Sequence, residues 1–201
     1  MPGIDELLSK SLTAVIKKNL DPILEKKIKI KLFKKHGLSI IQSIGNFSKL
    51  DEILKEFLKS DASSFEQNCL MEVASFKQLN RSFIVTIKDN NLVNSILQIL
   101  GDDEYRQIIE STVSKSLLIS EIIDMYNLPK TSGYRKINYL IRNGFLIGTE
   151  KEFTLKRRSV EKYIAVFQKL NFEISENQKI IKLTIPTKTI QQSSSVQIIT
   201  T

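Results

Sequence analysis

The chain is poor in the residues on which most catalytic and metal sites depend. Its 201 residues include one cysteine, Cys69, one histidine, His36, and no tryptophan. One cysteine cannot form an internal disulfide, and one histidine with one cysteine supplies neither a His/Cys zinc site nor a catalytic pair with a spare partner. Glycine-rich phosphate-binding strings and the GxSxG nucleophile string are also missing from the sequence. These absences predict that the protein is not an enzyme and needs no cofactor.

Long apolar runs are missing as well. No stretch reaches the roughly 18 uncharged apolar residues that a membrane-spanning helix needs. The first ten residues, MPGIDELLSK, carry acidic side chains and no continuous apolar run, so they do not resemble a secretory signal peptide. The sequence predicts a cytoplasmic protein with no membrane partner, in which Cys69 is a buried small hydrophobe.

Positive charge is what the sequence has in excess. The formal net charge is +8 and the isoelectric point is about 9.4, which suits a polyanionic partner such as nucleic acid. The excess is concentrated between residues 127 and 169. Three acidic residues in this segment stand against ten basic ones, namely Lys130, Arg135, Lys136, Arg142, Lys151, Lys156, Arg157, Arg158, Lys162 and Lys169.

One segment has the local signals of two helices joined by a tight turn. Residues 120–126 are expected to form the first helix, with Ser120 as its N-cap. Pro129 ends this helix, because proline lacks an N–H donor and disfavours the α region for the residue before it. Apolar residues then recur at helical spacing through residues 130–143, and Gly144 is expected to close the second helix as a C′ glycine.

Two short strands are expected after the second helix. They span residues 145–147 and 153–155 and are joined by a polar tip at residues 148–152. A short helix, a turn, a longer helix and a β wing together predict a winged helix-turn-helix. In that fold the second helix enters the major groove of DNA. The first helix of the domain is expected at residues 104–114.

The same segment resembles a known family through its boundary residues as well as its apolar rhythm. The resemblance lies in Leu128-Pro129-Lys130-Thr131-Ser132-Gly133-Tyr134-Arg135-Lys136-Ile137, followed by Leu140 and Gly144-Phe145-Leu146. This string is similar to the archaeal ArsR-like winged-helix regulators, whose pattern is roughly I/L-P-x-S-T-small-Y-R-K-I-x-x-L-x-x-x-G-L-L. Thr131-Ser132 stands where Ser-Thr is usual, and Gly133 stands where valine or alanine is usual. The resemblance covers residues 101–156 and implies a DNA-binding transcriptional regulator.

Helical spacing places Gly133 and Ile137 toward the core, so other side chains at the start of the second helix face outward. Residues in this part of a recognition helix reach base edges. Arg135 can bind guanine bidentately and Asn138 can bind adenine, whereas Tyr134 suits a phosphate, a thymine methyl group or packing on its own domain. The candidate DNA contacts on this helix are Lys130, Thr131, Ser132, Tyr134, Arg135, Asn138 and Arg142, the last of which is otherwise a solvated charge.

The wing adds further basic candidates. Lys151 at its predicted tip suits a minor groove or a phosphate, although Glu150 and Glu152 beside it repel DNA. Three cations at the base of the wing are better placed for phosphates, with structural salt bridges as the alternative reading. These residues are Lys156, Arg157 and Arg158.

The whole chain is predicted to be mainly α, in the α+β class. Residues 1–80 form a helical domain, residues 81–100 a connection, residues 101–186 the winged helix-turn-helix with a C-terminal β-hairpin, and residues 187–201 a polar, disordered tail. The hairpin is expected to pair residues 162–175 with residues 179–186. The last helix of the first domain is expected at residues 64–79, and residues 83–87 fit either a strand or a helix end.

The helical domain also has recognisable caps. Asp21 is expected to cap a helix that has Pro22 at its first position and Ile23 facing inward, and Ser48 is expected to cap a later helix. More distantly, the rhythm of residues 34–58, KKHGLSIIQSIGNFSKLDEILKEFL, resembles an output-type helical domain of archaeal signalling proteins.

Two classes of function fit these observations. The first is a sequence-specific DNA-binding transcriptional regulator, with the N-terminal helices serving dimerisation, sensing or partner binding. The second is a non-enzymatic interaction module that docks a transcription or signalling component through the winged helix. Basic charge at the recognition helix and the wing base favours DNA. A homodimer is expected, held through residues 4–79 and residues 92–100.

Overall fold

The structure, a computed structural model, describes residues 3–153, 159–176 and 178–200. It combines α-helices with antiparallel sheets, so the prediction of an α+β protein is confirmed. In chain order the helices are α1 (Gly3–Asn19), α2 (Pro22–His36), α3 (Ile40–Ile44), α4 (Phe47–Leu58), α5 (Ala62–Val73), α6 (Asn90–Gly101), α7 (Asp103–Thr112), α8 (Ile119–Met125), α9 (Lys130–Arg142), α10 (Thr187–Gln191) and α11 (Ser194–Thr200). A single 3₁₀ turn at Lys59–Asp61 joins α4 to α5.

The strands form two sheets. They are β1 (Ala74–Leu79), β2 (Ser82–Ile87), β3 (Leu117–Leu118), β4 (Leu146–Phe153), β5 (Ser159–Ala165), β6 (Lys169–Ser175) and β7 (Gln178–Pro186). The first sheet has four strands in the order β1-β2-β7-β6, and the second has three in the order β3-β5-β4. The chain leaves the first sheet after β2 and returns to it only at β6.

Helix α1 lies at the centre of the N-terminal half. Its side chains Ile4, Leu8 and Leu12 are fully buried at the spacing of one helical face. The helix contacts α3 and α5 on the N-terminal side and α6, α10 and α11 from later parts of the chain. Cys69 on α5 is buried in the same core, as predicted.

The predicted cap of α2 is present. The carboxylate of Asp21 accepts hydrogen bonds from the backbone N–H groups of Ile23 at 2.9 Å and Leu24 at 3.2 Å, and proline occupies the first turn. The inward orientation predicted for Ile23 is wrong, since the residue is 68% exposed. Only Ile28 and Leu32 of this helix are buried, because α2 packs mainly against α4 on one side.

Helix α4 starts one residue earlier than its predicted cap. Its first residue is Phe47 and its N-cap is Asn46, so the predicted capping role of Ser48 is wrong. The backbone N–H of Phe47 instead donates to the hydroxyl of Ser194 at 3.1 Å. A side chain distant in sequence satisfies this helix start, which is why the local pattern misplaced it.

Residues 74–79 are a strand and not the end of a helix. Helix α5 ends at Val73, and β1 then pairs with β2 from Ala74 opposite Ile87 to Leu79 opposite Ser82. Asn80 occupies the two-residue turn with a φ of 49°, a left-handed conformation that asparagine tolerates. The β-branched run of residues 83–87 is therefore a strand, and it draws the preceding segment into a hairpin.

The C-terminal hairpin is confirmed, but its first strand begins later than predicted. Strand β6 pairs with β7 from Lys169 opposite Thr184 to Ser175 opposite Gln178. The predicted start at residue 162 is wrong, because residues 162–165 belong to β5 in the other sheet.

Residues 187–200 were expected to be disordered, and this expectation is wrong. They form α10 and α11, which pack on the core through Ile190, Val196 and Ile199, each no more than 5% exposed. The segment is polar in composition but places its few apolar residues on one side. Contacts with α1, α4 and α5 supply the buried surface that the sequence of the segment does not reveal.

The buried carboxylate of Asp5 joins α1 to the start of α11. It accepts hydrogen bonds from the hydroxyls of Ser193 and Ser195, both at 2.5 Å, and from the backbone N–H groups of Ser194 at 2.8 Å and Ser195 at 3.2 Å. The hydroxyl of Ser194 adds a bond at 3.1 Å. A fully buried carboxylate is tolerated because so many donors surround it.

A second buried carboxyl group, Glu66 on α5, has fewer hydrogen-bond donors around it than Asp5. It is 2% exposed and faces Asp51 on α4, and one of its oxygens has no hydrogen-bond partner among the described residues. Burial, and then the negative charge of Asp51, raise the pKa of Glu66 from 4.5 to about 7. The folded state therefore holds a proton on Glu66 over a pH range in which the unfolded chain has released it.

This difference in proton binding predicts that stability falls as the pH rises from about 4.5 to about 7. Each unit of pKa difference is worth at most about 1.4 kcal/mol, so the loss from this group is up to about 3 kcal/mol. Glu66→Gln, which imitates the protonated form, should remove this loss in urea denaturation at pH 5 and pH 8. The exposed Glu176→Gln is the control and should behave as the wild type. A Glu66→Gln profile identical to that of the wild type would contradict the assignment.

Candidate nucleic-acid interface

The elements from α7 to β5 form one packed unit. Helix α9 contacts α7, α8 and β4, while α7 also contacts β5. In the small sheet β5 lies between β3 and β4, and all pairs are antiparallel. The order along the chain is helix, short strand, helix, helix and two longer strands.

Helix α8 begins one residue before its predicted cap. The N-cap position is Leu118, so the predicted capping role of Ser120 is wrong. The carboxylate of Glu121 accepts a hydrogen bond from the backbone N–H of Leu118 at 2.7 Å. An acidic side chain at the third helical position thus satisfies the helix start.

The turn between α8 and α9 has the geometry of a tight helix–helix connection. Asn127 adopts a left-handed φ of 50°, and the N–H of Leu128 donates to the carbonyl of Ile123 at 3.0 Å. The side chain of Leu128 is buried beneath the turn. Pro129 is the N-cap residue of α9, so the predicted boundary is confirmed.

Gly133 lets α8 and α9 approach each other closely. A Cβ atom on this residue would lie 2.9 Å from Cγ1 of Ile123 and 3.3 Å from Cβ of Leu128. The predicted orientation of Gly133 toward the core is therefore confirmed, and the neighbour that it meets there is α8. The missing side chain brings the backbones together and fixes the direction in which α9 projects.

The end of α9 is fixed by a second glycine contact. Gly144 follows the helix with a φ of 74°, as expected of a C′ glycine. A Cβ atom there would lie 2.1 Å from the carbonyl oxygen of Gly3 and 2.4 Å from the backbone nitrogen of Leu7. The amino end of α1 thus rests directly on the corner between α9 and β4.

One face of α9 is exposed and carries most of the predicted contacts. Gly133, Ile137 and Leu140 are buried on the opposite face. Tyr134 is 47% exposed, so it does not pack fully on its own domain. Within the described part of the chain, none of the exposed candidates makes a side-chain hydrogen bond or ion pair; these are Lys130, Thr131, Tyr134, Arg135, Asn138 and Arg142.

Ser132 lies at the edge of this face and not on it. It is half-buried, and its hydroxyl lies 3.4 Å from a carboxylate oxygen of Glu104 on α7. The prediction that Ser132 faces outward with its neighbours is wrong. The start of α9 packs against α7 here, and the amino-acid pattern of α9 alone did not reveal that neighbour.

Lys136 is held inside the unit. Its ammonium group forms ion pairs with Asp102 at 2.6 Å and Glu104 at 3.1 Å and lies 4.7 Å from the ring centre of Tyr105. Burial opposes its charge, but the bonds to the two carboxylates outweigh that cost and raise the pKa of Lys136 above its usual value. The hydrogen bond with Lys136 also lowers the pKa of Asp102.

Two neighbouring cations on α9 thus differ in their surroundings. Lys136 is neutralised by Asp102, the N-cap of α7, and by Glu104 in the first turn of that helix, and the side chain of Lys136 is only 12% exposed. Arg135 is exposed and makes no ion pair within the described residues. A count of charges along the sequence treats both residues alike, because the acids that neutralise Lys136 lie about 30 residues earlier, at the start of α7.

Strand β4, which follows α9, is longer than the strand predicted there. Residues 148–152 were expected to form the tip of the wing, but they lie inside β4, where Gly148 pairs with Tyr163 and Lys151 with Glu161 around a bulge. A Cβ atom on Gly148 would lie 2.3 Å from a carboxylate oxygen of Glu161. The glycine therefore makes room for a carboxylate and does not mark a turn.

Of the four cations predicted for the wing, one lies within the described residues. Lys151 is exposed on β4, opposite Glu161. The hydroxyl of Tyr163 donates to the other oxygen of Glu161 at 3.0 Å, so that carboxylate is partly engaged. Three further candidates lie outside the described residues, namely Lys156, Arg157 and Arg158.

The contrast between Lys136 and Arg135 predicts different effects on stability. Lys136→Met should lower the free energy of unfolding by about 0.5–1 kcal/mol, a modest value because Asp102 and Glu104 are each more than a third exposed. The matched Arg135→Met should change it by less than about 0.5 kcal/mol. Urea denaturation of both variants measures the difference. Equal losses would mean that Lys136 contributes no more than a surface charge.

Comparison of the chain with protein-family models, with curated proteins and with solved structures found no match. Among the described residues, no helix combines the length and the apolar character needed to cross a membrane. What the exposed face of α9 binds must therefore be inferred from its geometry and its charge.

Proposed function

We propose that the protein is a sequence-specific DNA-binding transcriptional regulator. In this proposal α7 to β5 form a winged helix-turn-helix, in which α9 enters the major groove. The observation that carries it is the exposed face of α9, where Lys130, Arg135 and Arg142 have no carboxylate partner among the described residues, unlike Lys136. Three exposed cations on one helix, without an ion pair in the described part of the chain, form a surface suited to a polyanion.

The side chains on this face have the chemistry of base recognition. Arg135 can donate two parallel hydrogen bonds to O6 and N7 of guanine, and Asn138 can both donate to and accept from adenine. Thr131 and Lys130 lie at the amino end of α9, the part of a recognition helix that enters deepest into the groove. Tyr134 offers a hydroxyl for phosphate and a ring edge for the methyl group of thymine.

Phosphate contacts would position the helix. Arg142 lies at the carboxyl end of α9, a little over three turns from Lys130, and Lys151 is exposed on β4. Together they would flank the groove on the wing side. Lys156, Arg157 and Arg158 remain proposed anchors on the ground of charge alone.

A second surface favours a protein partner for the N-terminal helices. Ile23, Ile30 and Phe33 on α2 are 68%, 47% and 68% exposed and lie on one helical face. Lysines lie on the same face, and they make no ion pair among the described residues; they are Lys26, Lys27 and Lys34. An acidic partner with apolar anchors would fit this face, in line with the partner binding expected of the N-terminal helices.

The first prediction from this function concerns salt. Binding to duplex DNA should weaken steeply as salt rises, with each phosphate contact adding roughly 0.9 to the slope of log affinity against log salt. Fluorescence anisotropy on a random duplex over a range of salt concentrations measures the slope. A slope near zero, or no binding at low salt, would exclude the regulator and leave the interaction module.

The second prediction separates a base reader from a phosphate anchor. Once a preferred site has been selected from random duplexes, Arg135→Ala should cost about 1–3 kcal/mol on that site and much less on random DNA. Arg142→Ala should weaken both equally and reduce the salt slope by about 1. Arg81→Ala, an exposed arginine in the β1–β2 turn, is the control and should change neither. Equal losses on both DNAs for Arg135→Ala would remove it from base recognition.

A further inference from the structure

Strand β6 is an open edge of the four-stranded sheet. It pairs with β7 on one side and has no strand on the other among the described residues. Its pairing with β7 runs without a bulge from Lys169 to Ser175, and it contains no proline. Natural proteins protect such edges with bulges, prolines or charges, because an unprotected edge offers unpaired N–H and C=O groups to another strand.

The apolar face of the sheet continues onto this edge. Leu170 and Phe172 lie opposite Leu183 and Ile181 of β7, which are buried. Phe172 is nevertheless 37% exposed and Ile174 is 70% exposed. The apolar face thus extends beyond the part of the sheet that the helices cover, onto an outermost strand that has no further neighbour in the described ranges.

The charge of β6 is balanced. Its two charged residues are Lys169 and Glu173, and Glu173 is paired with Lys182 at 2.8 Å. This neutrality stands out in a chain of net charge +8. The exposed face of α2 is different, since two copies of it would bring unpaired lysines together and repel each other.

We propose that a second copy of this chain binds at β6, so that two β6 strands pair antiparallel about a two-fold axis and join the two sheets into one. The contact buries Phe172 and Ile174 and satisfies the free edge of each copy. It places the dimer contact on β6, in preference to the N-terminal helices expected from the sequence. The proposal does not depend on DNA binding.

The alternation of side chains selects the register. Residues directly opposite each other in an antiparallel pair lie on the same face of the sheet. With the axis at Phe172, Phe172 meets the partner's Phe172, and Leu170 meets the partner's Ile174. On the other face, Asn171 meets the partner's Glu173, so no like charges are opposed. An axis at residue 171 or 173 would place one of the three apolar residues opposite a residue outside β6, where it has no apolar partner.

The contact should be weak. Strands of seven residues bury less than the roughly 1,200 Å² that marks the lower limit of stable interfaces, so we expect a dissociation constant in the micromolar range. Sedimentation of the full chain up to roughly 100 μM should show a monomer–dimer equilibrium. Phe172→Lys, which opposes two like charges at the axis, should weaken it about tenfold or more, whereas Ile23→Lys on α2 should not change it.

Disulfide trapping tests the register directly. Cys69 is buried, and burial raises the pKa of its thiol to about 11, so it should not interfere. Across the axis, Cβ atoms lie about 4.5–5.5 Å apart, close to the spacing that a disulfide needs. Phe172→Cys should therefore form a covalent dimer on mild oxidation.

Single variants at the flanking positions are the controls. Ile174→Cys alone should not cross-link, since its two copies lie about 14 Å apart at ~3.4 Å per residue, but a mixture of Leu170→Cys and Ile174→Cys should. A chain that stays monomeric at roughly 100 μM, or an Ile23→Cys variant that cross-links as fast as Phe172→Cys, would overturn the proposal. Equal cross-linking of Phe172→Cys and Ile174→Cys would overturn the register.

Discussion

The burial of the Asp5 carboxylate is the constraint on which the arrangement of the molecule depends. A buried charge is tolerated only where donors surround it, so α11 must begin at α1 if Asp5 is to remain inside. Helix α1 also brings Gly3 against Gly144 at the end of α9. The first turn of α1 thus has two roles. It holds the C-terminal helices in place, and it fixes the orientation of the exposed face of α9.

Local signals predicted the part of the fold that is built from local contacts. Pro129 and Gly133 set the start of α9 and its close approach to α8, and each acts on residues near it in the chain. Elements held by distant residues were missed. Residues 74–79 became a strand because β2 pairs with them, and the polar C-terminal segment became helical because Asp5 and the apolar core receive it.

In the candidate interface, too, local signals were sufficient for some residues and contacts distant in sequence decided others. Helical spacing was enough to place Arg135 and Asn138 on the exposed face of α9, because a helix repeats every 3.6 residues whatever surrounds it. It could not show that Lys136 is neutralised by Asp102 and Glu104, since that depends on how α7 packs. Gly148 was predicted to begin a turn for a related reason. The space that this glycine leaves is filled by Glu161 from the neighbouring strand, which the local sequence does not reveal.

The order β1-β2-β7-β6 has a consequence for how the chain folds. Ile84 pairs with Thr184, so the two halves of this sheet meet only after the segment containing α6 to β5 has been brought into a closed loop. The entropy lost in closing a long loop is recovered only when the pairing is complete, and such contacts slow folding. We expect the pairing of β2 with β7 to form later than the hairpins β1–β2 and β6–β7, whose strands are adjacent in the chain.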